Sequence, residues 1–105
     1  MRVGLHVPVE LRRDGLSRWF RLANAVGVDG LSLAHAVPDE LDGPLAIAFH
    51  LPGDREPIRC RGRAAETIVG EGEDEHAERS AITFFDIEES AHSRIANYVT
   101  ERLGL

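Results

Sequence analysis

The stretch "PLAIAFHLPGDREPIRCRGRAAETIV", residues 44–69, decides the fold class. Leu45, Ile47, Phe49 and Leu51 alternate with Ala46, Ala48 and His50, so one side of the segment is apolar with a period of two. That period belongs to a half-buried strand, not to a helix. "GDREP" is rich in turn formers, and "IRCRGRAAETIV" (58–69) resumes as a second, longer strand. A run of that length must bend or bulge, and Gly62 is the expected place.

The same reading extends in both directions. "RVGLHVPVELR" (2–12) alternates with Val3, Leu5, Val7, Val9 and Leu11 on one side, and Arg2, Gly4, His6, Pro8 and Glu10 on the other. Pro8 has no N–H to give a ladder, so this strand is expected at an edge or next to a bulge. "DG" (14–15) marks a turn before the strand "RWFRLANAV" (18–26), in which Trp19 and Phe20 must face opposite sides. "DGLSLAHAV" (29–37) predicts a third strand with Leu31 and Leu33 on one face, and "PDELDGP" (38–44) a loop. "GEGEDEHAER" (70–79) predicts an acidic, solvated hairpin loop without the ligand order of a calcium loop, and "SAITFFDI" (80–87) a sixth strand.

Beyond it the period changes. Ile87, Ala91, Ile95, Tyr98, Val99 and Arg102 recur at helical spacing, so an amphipathic helix is expected over about 87–103. Asp86 with Glu89 has the spacing of a capping box, and Gly104 suits the C-terminal end. Six strands followed by one helix predict a mainly β, antiparallel barrel with the helix against an end or side, as one domain over 1–105.

Composition narrows the function classes. The chain has 105 residues, 43% of them hydrophobic, and a formal net charge of −6. That charge argues against a general DNA or RNA binder, which needs a basic footprint. No apolar run approaches the ~20 residues of a membrane helix, and no signal-peptide pattern is present. The single cysteine, Cys60, admits no internal disulfide, and a reducing cytoplasmic setting is expected. All 12 basic residues other than histidine are arginine. Arg59, Arg61 and Arg63 share one face of their strand, either as an anion-binding stripe or as a solvated face paired to neighbouring carboxylates. Nothing marks a catalytic constellation. Cys60 has no evident base beside it, and the five histidines lack the i, i+4 spacing of a helical metal site. A small metal-binding barrel or enzyme using His35, His50 or Cys60 is kept as a distant alternative.

The segments "RVGLHVPVEL", "NAVGVDGLSL", "GPLAIAFHLP", "IRCRGRAAET" and "AITFFDIEESAHSRIANYVTER" together resemble a PilZ domain over nearly the whole chain. The resemblance rests on strand order, on the Gly30–Leu33 segment and on the terminal strand-then-helix. It implies a six-stranded barrel with a C-terminal helix, and a bacterial signalling module that binds cyclic di-GMP and passes the signal to a partner. Two motifs do the binding in that family: Arg-x-x-x-Arg around the first strand, and Asp/Asn-x-Ser-x-x-Gly leading into the third. Arginine forks grip phosphates and guanine, a carboxylate or amide reads a guanine edge, and glycine allows close approach.

Carried over residue by residue, Arg2 matches the first arginine and His6 stands at the second. Gly30 matches the glycine, Gly27 stands at the serine and Ala25 at the Asp/Asn position. Asn24 is one residue early and reaches that position only if a bulge shifts the register. The resemblance therefore implies a non-catalytic module whose degenerate nucleotide site (Arg2, His6, Asn24, Ala25, Gly27, Gly30) binds cyclic di-GMP weakly or not at all. Such a module acts through protein contacts, for example on motility machinery, as monomer or homodimer. The alternative is a genuine receptor that uses Arg2 and His6, with Arg12, Arg13, Arg18 or Arg21 compensating.

Overall fold

Alternating apolar side chains closed into a ring organise the molecule. A computed structural model describes residues 2–13, 18–35, 37, 41, 43–69 and 78–104. The strands are β1 (Val3–Gly4), β2 (Pro8–Arg12), β3 (Arg18–Gly27), β4 (Gly30–Leu33), β5 (Pro44–Phe49), β6 (Ile58–Val69) and β7 (Glu78–Ile87), followed by α1 (Glu89–Leu103). All pairings are antiparallel. β2 pairs with β3 and β5, β5 with β6, β6 with β7, β7 with β4, and β4 with β3, which closes a six-stranded barrel. β1 lies on the same side of β3 as β2, so the two are one interrupted strand.

The interruption is a bulge. Gly4 pairs with Ala25 and Pro8 with Leu22, leaving one extra residue on the β1–β2 side. Leu5 N–H donates to Asn24 O (3.1 Å) and Ala23 N–H to Val7 O (2.9 Å), so the ladder bridges the break. Pro8 thus opens β2 just after a bulge, where its missing donor does least harm.

The barrel is filled from all strands. Val9, Leu11, Leu31, Leu33, Leu45, Ile58 and Ile82 are fully buried, and the rings of Phe49 and Phe84 stack with centroids 6.4 Å apart. Gly62 is the close-approach point. A Cβ there would lie 2.7 Å from Thr83 O and 2.8 Å from Ile47 Cδ1. The bend expected at Gly62 is divided between two neighbouring positions. Phe85 is the extra residue on β7 opposite Arg61 and Gly62, and a second shift falls on β6 between Ala64 and Glu66.

The helix starts later than its sequence spacing predicts. The first of those bulges keeps Asp86 and Ile87 in the ladder, opposite Arg61 and Cys60, so the chain leaves the sheet only at Glu88. Glu88 is the N-cap, with extended backbone (φ −63°, ψ 146°) and no side-chain capping bond. Asp86 and Glu89 therefore form no capping box. Gly104, at φ 73°, ends the helix as expected, its N–H bonded to Glu101 O. Ala91, Ile95 and Val99 are buried, and the helix packs against β1 and β3. Its far side is tied to the β5–β6 turn by Arg94, which donates to Asp54 Oδ2 (3.0 Å) and Glu56 O (2.6 Å). β4 is shorter than the 29–37 reading: it ends at Leu33, with one further bond to β3 from Ala34 N–H to Leu22 O (2.8 Å).

Candidate functional site

The six residues singled out in the sequence lie around one corner of the barrel, where β1, β3 and β4 meet. Gly27 pairs with Gly30 across the Val28–Asp29 turn. That turn is pinned to β7 by the bond from Phe84 N–H to Asp29 O (2.9 Å). Gly30 is buried, and a Cβ on it would run into the Ile82 carbonyl. The same Cβ position lies 3.2 Å from Arg2 Nη2, so the exposed guanidinium of Arg2 reaches over Gly30. Residues 28 apart in the chain thus come together because β1 pairs Val3 with Val26 and Gly4 with Ala25.

Asn24 meets the condition set for it. Ala23 pairs with Leu33 and Ala25 with Ser32, so Asn24 is an extra residue in β3 opposite β4. Burial shows the effect: Ala23 and Val26 are buried, while Asn24 and Ala25 are both half-exposed. The bulge turns the amide of Asn24 to the same outer side as Ala25, one residue earlier than a regular ladder allows. His6 is exposed within the break between β1 and β2, and its Nε2 is 3.9 Å from the place a Gly4 Cβ would take.

Two side chains at this corner escaped the sequence reading. Ser32, directly opposite Ala25, faces outward between the buried Leu31 and Leu33. Its signal was the alternation of "GLSL" itself. Tyr98 on the helix donates its O–H to Gly4 O (3.2 Å) and holds β1 in place. Nothing local in sequence marks that contact.

The arginines considered as substitutes lie elsewhere. Arg12 pairs with Arg18 at the far end of β3, six residues from Asn24, which is roughly 20 Å along a strand. Arg21 lies over the Trp19 ring (5.2 Å) and donates to Phe20 O (2.9 Å). Arg13 follows β2 at that same far end. Of the adjacent aromatics, Trp19 packs on the core and Phe20 is 58% exposed.

Arg59, Arg61 and Arg63 are all exposed on the outer wall. Phe85, turned outward by its bulge, sits between the Arg61 and Arg63 guanidinium groups, at 5.9 and 5.8 Å. Between Arg59 and Arg61, Cys60 points inward. Burial, with a smaller push from the Asp86 carboxylate, raises its thiol pKa to about 12, which leaves it protonated and unreactive at neutral pH. Among the described residues no three His, Cys, Asp or Glu side chains form a group able to hold a metal ion. Among the same residues, no helix is long and apolar enough to cross a membrane.

Neither a protein-family model nor a curated protein sequence matches the chain. Solved structures do. The inhibitor of motility MotI/DgrA of Bacillus subtilis matches with a TM-score of 0.78 at 11% identity, over 97% of this chain and 49% of that one. The PilZ domain of YcgR from Escherichia coli, solved with c-di-GMP, matches at 0.70 and 12% identity, over 99% of this chain and 89% of that one. This chain has a PilZ-like fold. The PilZ domain of CeSA from a cellulose-synthesizing bacterium adds a third match, at 0.63 and 17% identity over 96% of each chain. The chain spans about half the length of MotI, so the likeness there concerns one part of a larger protein.

Proposed function

We propose that the chain is a non-catalytic, PilZ-type module of cyclic di-GMP signalling, cytoplasmic in setting, whose nucleotide corner is degenerate and which acts through contact with a protein. The observation that carries this reading is the content of the corner. Among the described residues its only guanidinium is that of Arg2, over Gly30; His6 stands at the place of a second fork, and Gly27 brings no hydroxyl. Asn24, turned outward by its bulge, restores the amide, so two contacts are missing instead of three. One charge-assisted and one neutral hydrogen bond together amount to about 2–4.5 kcal/mol. That is a loss of roughly thirty- to a thousand-fold in affinity.

The bulged Asn24 is also what favours the second reading, a genuine receptor using Arg2, His6 and Asn24. Calorimetric titration with cyclic di-GMP separates the two. The proposal expects no saturable binding at low micromolar ligand; stoichiometric binding there overturns it. MotI is described as an inhibitor of motility, and by analogy the partner belongs to a motility or surface apparatus.

A further inference from the structure

We infer that the outer wall formed by β3, β2, β5 and β6 is the docking surface for an extended, acidic segment of a protein partner. The inference rests on the protein-contact reading above. Register and burial define the wall. Arg18, Arg12, Ala46 and Arg61 form one row across four strands, ending at Asp86 on β7, and Phe20, Glu10, Ala48 and Arg59 form the next. The inward-pointing alternates, Leu11, Ile47 and Cys60, are buried.

Three hollows of about 340, 180 and 310 Å³ follow one another along this wall, and Arg59 borders all three. The first two exist because Ala46 and Ala48 are small where their neighbours are long, and the third lies between Arg59, Arg61, Asp86 and Glu88. The result is a trough of adjoining hollows, floored by alanine in its first two parts and edged by guanidinium groups and the exposed ring of Phe20.

Charge sets the partner's chemistry. Arg12 and Arg18 are directly opposite, an arrangement that costs stability unless an anion lies between. Arg18 leans on Glu10 (3.8 Å), while Arg12, Arg59, Arg61 and Arg63 have no ion-pair partner among the described residues. The row is basic although the chain carries −6 overall. Glu10, Asp86 and Glu88 interrupt the arginines along the trough, so it suits a segment whose acidic side chains are spaced by apolar ones better than the continuous, denser charge of a polyphosphate. Arginine beside exposed aromatic and small apolar residues is instead the composition of protein interfaces. Ring closure leaves these strands no free edge for strand addition, so recognition here falls to side chains.

The test is to pan the full chain against a display library of short random peptides. Enriched sequences should alternate Asp or Glu with large apolar residues. Their affinity should fall at least about tenfold in Arg61→Glu and in Ala48→Trp, and stay within about twofold in the control Arg102→Glu. Arg61 is exposed and Ala48 half-buried on the outer face, and thermal melts confirm that the variants fold. Enrichment of sequences without acidic residues, or acidic peptides indifferent to both wall variants, overturns the inference. So does tighter, Arg61-dependent binding of single-stranded oligonucleotide at physiological salt. A failure of the underlying reading shows elsewhere, as low-micromolar binding of cyclic di-GMP.

Discussion

Replacing Gly30 by alanine puts one methyl group where there is no room for it. The added Cβ would collide with the Ile82 carbonyl oxygen, lie 3.1 Å from its carbon and crowd Arg2 Nη2 at 3.2 Å. The obstacle is backbone held in the β4–β7 ladder, where Leu31 pairs with Ile82 and Gly30 with Thr83, and the neighbouring turn is pinned by Phe84 N–H on Asp29 O. Overpacking of this kind costs about 1–3 kcal/mol, and a rigid backbone obstacle argues for the upper end. Loss of unfolded-chain freedom returns about 0.4–1 kcal/mol. The net is about 2 kcal/mol, or a fall in Tm of about 8–16 °C for a chain of this size. Gly4→Ala is the matched control. Neither glycine has positive φ, and the nearest atom to a Gly4 Cβ is His6 Nε2 at an ordinary 3.9 Å. That variant should melt at or slightly above the wild-type temperature. Thermal unfolding followed by circular dichroism, with urea melts to check for an unchanged m value, reads both. Equal stability of Gly30→Ala and Gly4→Ala would refute the close packing of β4 against β7 on which the corner depends.

Other consequences are equally direct. Ile95 is fully buried beneath the helix, so Ile95→Ala should cost about 2–5 kcal/mol in urea melts. Tyr98→Phe removes the bond to Gly4 O and should cost about 0.5–1.5 kcal/mol, with amide exchange of residues 3–7 accelerated more than that of β6. Cys60 should resist thiol reagents at pH 8 in the native protein and react at once in denaturant. Its folded pKa, about 12, is raised above the ordinary 9.0, so the native state holds the proton longer than the unfolded one. Stability from this group is therefore full below pH 9 and is lost as pH rises toward 12, and Cys60→Ala should flatten that alkaline decline.

The barrel was legible because its strands obey a local rule. "IRCRGRAAETIV" alternates strongly enough that the observed strand has the bounds read from sequence, 58–69. The misreadings occur where a neighbouring strand decides. Asp86 has the chemistry of an N-cap, but the bulge at Phe85 keeps it paired with Arg61. The strand read over 29–37 is paired only as far as Leu33, opposite Ala23 and Ser80, although the apolar pattern runs on. At the corner, sequence spacing found the residue types but not their meeting. Arg2 reaches Gly30 through the pairing of β1 with β3, and Asn24 turns outward only because β3 carries an extra residue opposite β4. The arginine wall was visible as a stripe on one strand; its extension to Arg12 and Arg18 depends on the order of strands in the ring.

One paired titration tests the degenerate corner directly. Cyclic di-GMP is titrated into the wild-type protein and into His6→Arg, an exposed position where the change restores one guanidinium without disturbing the core. The account predicts no saturation of the wild type at low micromolar ligand. It predicts a gain of about ten- to a hundred-fold in the variant, the worth of one charge-assisted hydrogen bond. Low-micromolar, stoichiometric binding by the wild type, or no gain in a folded His6→Arg protein, would contradict it.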